Sequence, residues 1–123
     1  MPCDGIAVLT TRATDSIREI ELAFANIPNT QIRAQTIQAD GTRLLEIVFD
    51  PRYVDIEVKC AIKPDGSIVA ITQRGTYEGG VEVLTKMVQA VRAKNVKLDT
   101  PKFETHNHSP NAPQLSYGHT HSH

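Results

Sequence analysis

The sequence predicts an α+β protein: an antiparallel sheet of about four to five strands with two helices on one face, followed by a disordered His-rich C-terminal tail. Three observations predict this class. Two segments repeat apolar residues at helical spacing, the segments between them alternate apolar and polar residues, and Asp-Gly pairs separate the alternating runs. The predicted element order is β-α-β-β-β-β-α, with both helices on the same face of the sheet.

The first strand is predicted at GIAVLTT (5–11), a short apolar run that ends in threonines. A helix is predicted at about 15–27, because isoleucine and phenylalanine recur there at helical spacing. Ser16, followed three residues later by a glutamate, has the S-x-x-E form of a capping box. Thr14 and Asp15 are alternative N-caps.

The middle of the chain is predicted to form an antiparallel meander with one buried face. Its two turns are Asp40-Gly41 and Pro64-Asp65-Gly66, because glycine after aspartate tolerates the positive φ of a hairpin. The sequences IQADGT and IKPDGS have the same form, so we expect the same turn chemistry in both. The strands are TQIRAQTIQA (30–39), RLLEIVFD (43–50), YVDIEVKCAIK (53–63) and SIVAITQ (67–73).

The strand at 43–50 carries aliphatic residues on both parities, Leu45 and Ile47 on one and Leu44 and Val48 on the other. This pattern indicates a central strand whose second face is also partly covered. The cover could be the loop of the first strand, the C-terminal tail or a second copy of the protein. We favour the second copy and therefore expect a homodimer.

The second helix is predicted at VEVLTKMVQAVRAKNV (81–96), after the loop RGTYEGG (74–80). From Leu98 onward the composition changes to proline, asparagine, serine and histidine, with few aliphatic residues. Such a segment cannot bury enough apolar surface to fold by itself. We therefore divide the chain into one α+β domain at 1–98 and a flexible Pro/Asn/His-rich tail at 99–123.

Size and charge exclude several classes of function. The chain of 123 residues suits one domain, and its net charge of −1 gives no overall field for phosphate or an anionic membrane. No apolar stretch reaches the roughly 18–20 residues of a transmembrane helix, and no signal peptide is visible. Cys3 and Cys60 form no C-x-x-C, so both are expected as reduced thiols, with Cys60 in the core. The sequence predicts a cytoplasmic protein that binds neither membranes nor nucleic acids.

Residues 54–96 resemble a family of short bacterial proteins whose domain has no assigned function. The shared features are the strand and turn IKPDGSI, the loop GTYEGG and the helix opening VLTKMVQAV. The segment TTRATDSIREIELAF is similar to the start of a second such family, found in bacteria and plastids. In the first family a cysteine is expected at the start of the last helix, where Val81 and Val83 stand here, so no thiol role is carried over. The resemblance implies a fold and no activity.

All five histidines lie between His106 and His123, in the patterns His-x-His and His-x-His-x-His. In an extended chain, residues at i and i+2 point to the same side, so several imidazoles could converge on one ion. Imidazole suits divalent transition metals such as Ni, Zn and Cu. The alternative is a solvated polar end without a metal role. The candidate ligands are His106, His108, His119, His121 and His123, with Cys3 as an additional candidate.

The loop before the second helix contains a weaker candidate, an anion site at Gly79 and Gly80. Backbone N–H groups at a glycine-containing loop and a helix N-terminus can face a phosphate or carboxylate. GTYEGG lacks the G-x-x-x-x-G-K-[ST] pattern, and no basic residue follows Gly80 until Lys86. We favour the alternative that these glycines supply a turn with positive φ.

Asp55 and Glu57 share the polar side of one predicted strand and could do acid–base work if they were buried. On an alternating strand, such carboxylates more often form a solvated face with cross-strand ion pairs. No histidine precedes His106, and neither cysteine has a visible activating partner, so a nucleophile would lack its base. We therefore predict that the protein is not an enzyme.

Two functions are consistent with these observations. The first is a non-enzymatic protein-interaction or adaptor module, which binds a protein partner or itself through a sheet or helix surface. The second is metal handling, as a chaperone or a store for Ni, Zn or Cu, through the C-terminal histidines.

Overall fold

The computed structural model describes residues 6–49, 56–73 and 77–106. The strands in this part of the chain form one antiparallel sheet in the order β2-β3-β4-β5-β1-β6, so the predicted α+β class and the antiparallel meander are confirmed. In chain order the elements are β1 (Ile6–Arg12), α1 (Ile17–Ala25), β2 (Thr30–Ile37), β3 (Arg43–Phe49), β4 (Glu57–Ile62), β5 (Ser67–Gln73), α2 (Tyr77–Arg92) and β6 (Lys102–His106).

Both helices pack on the same face of the sheet, as predicted. Helix α1 lies against β3 and β4, and α2 lies against β1 and β5. The strands contribute side chains of one parity to the core between these layers, for example Leu45 and Ile47 of β3 and Val58 and Cys60 of β4. Neither of the two helices in the described ranges is long and apolar enough to cross a membrane.

Ser16 is the N-cap of α1, as the S-x-x-E pattern predicts. Its Oγ accepts a hydrogen bond from the Glu19 backbone N–H at 3.2 Å. Asp15, an alternative cap in the sequence, instead accepts a hydrogen bond from the Lys97 backbone N–H at 3.1 Å. Asp15 therefore ties the start of α1 to the segment that follows α2.

The two Asp-Gly turns have the same geometry, which confirms their shared chemistry. Gly41 and Gly66 have φ angles of +92° and +94°, in the left-handed region that favours glycine. In each turn an aspartate Oδ1, of Asp40 or Asp65, accepts a hydrogen bond at 2.9 Å from the backbone N–H two residues further on. This bond to the amide lowers the pKa of both carboxyl groups.

The sheet contains a strand that the sequence analysis places in the tail. Residues 102–106 form β6, which pairs with β1, so the sheet has six strands and the fold extends beyond the predicted boundary at residue 98. Phe103 packs against the core, and the Asp99 backbone N–H donates to the Arg12 carbonyl at 2.8 Å. The run KFETH has one apolar side chain, and this pattern by itself is too weak to predict a strand. Its stability comes from pairing with the open edge of β1.

Helix α2 begins and ends earlier than the predicted range 81–96. It ends at Arg92 because Asn95 adopts a left-handed conformation, with φ of +70°, and donates its backbone N–H to the Arg92 carbonyl at 2.9 Å. Asparagine tolerates this conformation and is a common residue at helix ends. Helix α2 begins at Tyr77, so Gly79 and Gly80 lie in its first turn and not in a preceding loop.

Candidate functional site

The predicted metal site falls mainly outside the described residues. His106 ends β6, where its backbone pairs with Ile6. His108, His119, His121 and His123 lie outside the described ranges, as does Cys3. Within residues 6–49, 56–73 and 77–106, no group of three or more His, Cys, Asp or Glu side chains could hold a metal ion. The metal site therefore stays a prediction.

Gly80 has a packing role that the sequence analysis assigned wrongly to a turn. It is helical, and a Cβ added to it would lie 2.7 Å from Thr72 Oγ1 and 2.9 Å from the Ala7 Cβ. Only glycine allows α2 to approach β1 and β5 this closely. The positive-φ glycines of the described chain are Gly41 and Gly66. An anion site at Gly79 and Gly80 stays a prediction.

Glu57, one of the two proposed acid–base carboxylates, forms an ion pair with Arg33 across the sheet surface. Arg33 stands where the pairing of β2 with β3 shifts register, between Ile32 and Ala34. Such a bulge redirects a side chain, here towards β4. Asp55 lies outside the described residues. Glu57 thus has the cross-strand pairing expected of a solvated sheet face.

The Cys60 thiol is an unreactive core group. It faces the helices with its side chain fully buried, and burial raises its pKa to about 12. A thiol in this state holds almost no nucleophilic thiolate at neutral pH. This outcome agrees with the prediction that Cys60 belongs to the core.

The sheet has a second face, which no helix of the described residues covers. This face is formed by the side chains that alternate with those of the core. Two residues that are paired across neighbouring antiparallel strands point to the same face. Two transverse rows cross β2, β3, β4 and β5 in register. We call Thr36, Leu44, Ala61 and Val69 the leucine row, Ala34, Glu46, Lys59 and Ile71 the glutamate row, and both together the helix-free patch.

The helix-free patch combines buried and partly exposed aliphatic side chains. Ala61 and Ile71 are less than a tenth exposed, whereas Leu44 and Val69 are half-buried. Val8 of β1 lies beside Ile71 in the register and extends the apolar surface. Leu44 and Val69 therefore leave hydrocarbon surface in contact with water, on a face that carries no second layer of the described chain.

A cleft of about 230 Å³ opens at one side of the patch. Its lining includes Ala34 and Thr36 of β2, Leu44 and Glu46 of β3, and Lys59 of β4. The two β2 side chains are short, and the bulge at Arg33 increases the local twist of this edge strand. The β2 side of the patch therefore carries short side chains beside the cleft, whereas the β5 side carries the longer Val69 and Ile71.

Glu46 and Lys59 are opposite charges in adjacent register positions, yet they form no ion pair. Both side chains are half-buried, and in the described part of the chain neither belongs to a salt bridge or a side-chain hydrogen bond. Glu21 shows the contrast, since its carboxylate bonds to Arg43 at 3.2 Å and to Gln35 at 2.7 Å. The patch thus holds an acid and a base side by side, neither of them in an ion pair with another described residue.

Sequence reasoning found part of this surface. The two-sided apolar pattern of 43–50 identified Leu44 and Val48, but Val69, Ile71 and the two charges were missed. The run SIVAITQ carries the same signal, because Val69 and Ile71 alternate with Ile68 and Ala70. The rows themselves needed the register of four strands, which no single segment contains.

No family model matches the chain, and no curated protein matches it. The resemblance of residues 54–96 to a bacterial family is therefore still an expectation. What can be said about function comes from the helix-free patch and from the C-terminal histidines.

Proposed function

We propose that the protein is a non-enzymatic interaction module that binds a protein surface with its helix-free patch. The observation that carries this proposal is the pair of rows on the uncovered side of the sheet. They place half-buried Leu44 and Val69 beside a glutamate and a lysine that form no ion pair within the described ranges. Protein interfaces combine an apolar centre with charges that select the partner in the same way.

The dimensions of the site favour a protein over a small molecule. The cleft of about 230 Å³ is smaller than the roughly 300–1,000 Å³ of most small-ligand pockets. Strands lie ~4.8 Å apart and rise ~3.3 Å per residue, so four of them present a broad, shallow surface about 19 Å by 20 Å. A surface of this shape is complementary to another protein surface.

The proposal is tested with a variant that disrupts the patch and a matched variant elsewhere. Ile71→Lys introduces a charge at the β5 end of the glutamate row, whereas Leu22→Lys changes a residue of α1 that is 56% exposed. Tagged wild-type chain and both variants are used for quantitative capture from the source cells. Each captured protein is then titrated onto the isotope-labelled chain to map the contact by NMR.

We expect to capture a protein, which can be the chain itself, that binds the wild type and Leu22→Lys but not Ile71→Lys. In the NMR titration, the chemical shifts that change should belong to the leucine and glutamate rows. Circular dichroism must show that both variants are folded. Identical binding by all three proteins, or shifts confined to the helices, would contradict the proposed function.

We propose metal handling as a second function, carried by the His-x-His spacing of the C-terminal residues. Removing residues from 105 onward would cut β6, so substitution is a better test than truncation. Ni²⁺, Zn²⁺ and Cu²⁺ are titrated calorimetrically into the wild type and into a variant with asparagine at positions 108, 119, 121 and 123. Defined stoichiometry that is lost in the variant supports the function, and weak binding without stoichiometry in both contradicts it.

A further inference from the structure

The helix-free patch is complementary to itself. Both rows cross four strands, so the centre of each row lies between β3 and β4. A twofold axis that runs along the strands at this centre places a second copy face to face with the first. The first residue of each row then faces the fourth residue of the same row in the other copy, and the second residue faces the third. This is the reciprocal contact of an isologous dimer.

The leucine row pairs short side chains with long ones in this arrangement. Leu44 of one copy faces Ala61 of the other, which is small and almost fully buried. Thr36, in the cleft over β2, faces Val69 of β5. The cleft side of each patch, with its short side chains, therefore faces the longer side chains of the other copy, as close packing between two sheets requires.

In the glutamate row, the same arrangement places a short side chain opposite a long one and an acidic side chain opposite a basic one. Ala34, also in the cleft, faces Ile71, and Glu46 faces Lys59. Aligned sheets pack ~10 Å apart, a gap that extended glutamate and lysine side chains bridge from opposite sides. The two charges that form no ion pair within the described residues of one chain would each gain one, and symmetry produces the pair twice.

We propose that the partner of the helix-free patch is a second copy of this chain, docked about a twofold axis between β3 and β4. This inference rests on the proposed function and identifies its partner. The overlap of about 400 Å² in projection is below the ~800 Å² per partner of a standard interface. The dimer is therefore reversible, and its population depends on protein concentration.

Charge reversal tests both the dimer and its axis. The association of the full chain is measured by sedimentation velocity from micromolar to millimolar concentration, at low salt. The variants are Glu46→Lys, Lys59→Glu and the double variant. Lys102→Glu is the matched control, because Lys102 lies on the same face, next to Thr10, but on β6 and outside the overlap.

Each single reversal places like charges opposite each other twice, so we expect the dimer Kd to rise at least about tenfold. The double variant restores opposite charges, and its Kd should return to within about threefold of the wild type. Lys102→Glu should leave Kd unchanged. Circular dichroism confirms that every variant folds.

Two results would overturn the inference. Single reversals without effect, or a double variant as weakened as the singles, would exclude this axis. A wild type that stays monomeric at millimolar concentration would exclude the dimer altogether. The interaction function stands in that case if a different protein is captured by the wild type but not by Ile71→Lys, so the two failures are distinguishable.

Discussion

The two faces of the sheet come from the same strands but differ in what they contain. On the helix-covered face, the buried polar side chain in the described strands is Thr72, and its hydroxyl bonds to the Ala7 backbone. The helix-free face keeps Glu46, Glu57 and Lys59 among its aliphatic side chains. One face is suited to burial, and the other keeps the charges on which the proposed interaction depends. Alternation along each strand lets one segment serve both purposes.

The largest expected contrast between the faces is in thiol reactivity. In a chain with Cys3→Ser, the native Cys60 should react with a thiol reagent at neutral pH at least about a thousandfold more slowly than a cysteine introduced by Leu44→Cys. Burial raises the pKa of Cys60 from 9.0 to about 12, and each pH unit lowers the thiolate fraction tenfold. The rates are measured by absorbance, and the variant that carries Leu44→Cys also carries Cys60→Ala. Comparable rates would show that the core face opens readily.

The same thiol reaction also tests the proposed dimer. The Leu44→Cys thiol should become less reactive as protein concentration rises, because position 44 would face Ala61 of the second copy in the proposed dimer. A reaction rate constant that is independent of concentration would argue against this contact.

Truncation of one aliphatic residue on each face should separate their contributions to stability. Ile47→Ala, on the core face and fully buried, should lower the free energy of unfolding by about 2–5 kcal/mol. Leu44→Ala, on the same strand but half-buried on the other face, should lower it by about 1 kcal/mol or less in the monomer. Urea denaturation at low protein concentration measures both. Equal losses would mean that the helix-free patch is part of the core.

Two threonines provide a smaller contrast of the same kind. Thr72 Oγ1 accepts the Ala7 backbone N–H at 3.1 Å, so Thr72→Val leaves a buried donor without its partner and should cost about 1–3 kcal/mol. Thr36→Val on the exposed β2 edge should change stability by less than about 0.5 kcal/mol. Thermal melts of both variants check the difference. A neutral Thr72→Val would show that the hydroxyl is not needed at this position.

The smallest expected effect belongs to the turns, which lie on neither face. The amide hydrogen bonds of Asp40 and Asp65 lower both pKa values below the ordinary 3.8, so their contribution to stability is present above pH 3.8 and is lost as the pH falls through the folded-state pKa. Asp40→Asn and Asp65→Asn should each flatten the acid limb of the stability profile slightly and by a similar amount. Unequal flattening would show that the two turns differ despite their common geometry.

Much of the fold was accessible from local patterns. The Ser16 cap, the two Asp-Gly turns and the alternating strands each depend on residues close together in the chain, where side-chain chemistry acts directly on the backbone. Strand β6 and the limits of α2 were not accessible. KFETH becomes a strand by pairing with β1, which is far away in sequence, and Gly80 is explained by contact with Thr72 and Ala7 across the core.

The candidate site divides in the same way. The aliphatic residues on both sides of 43–50 indicated a second contact surface and correctly identified Leu44 as part of the helix-free face. The pairing of Glu46 with Lys59 in the register, and of Ala61 with Leu44, depends on hydrogen bonding between strands. A shift of one residue would turn every one of these side chains to the other face, so sequence pattern alone could not establish the rows.

The sequence by itself determined the class of the fold, the turn positions and the buried side of the strand at 53–63, because alternation, helical spacing and Asp-Gly chemistry are local properties of the chain. Only the tertiary structure decided which strands are neighbours, where the sheet ends and which side chains form the two rows. Those features arise from pairing energies between distant segments, and a surface that could recognise a second copy exists only once four strands are in register.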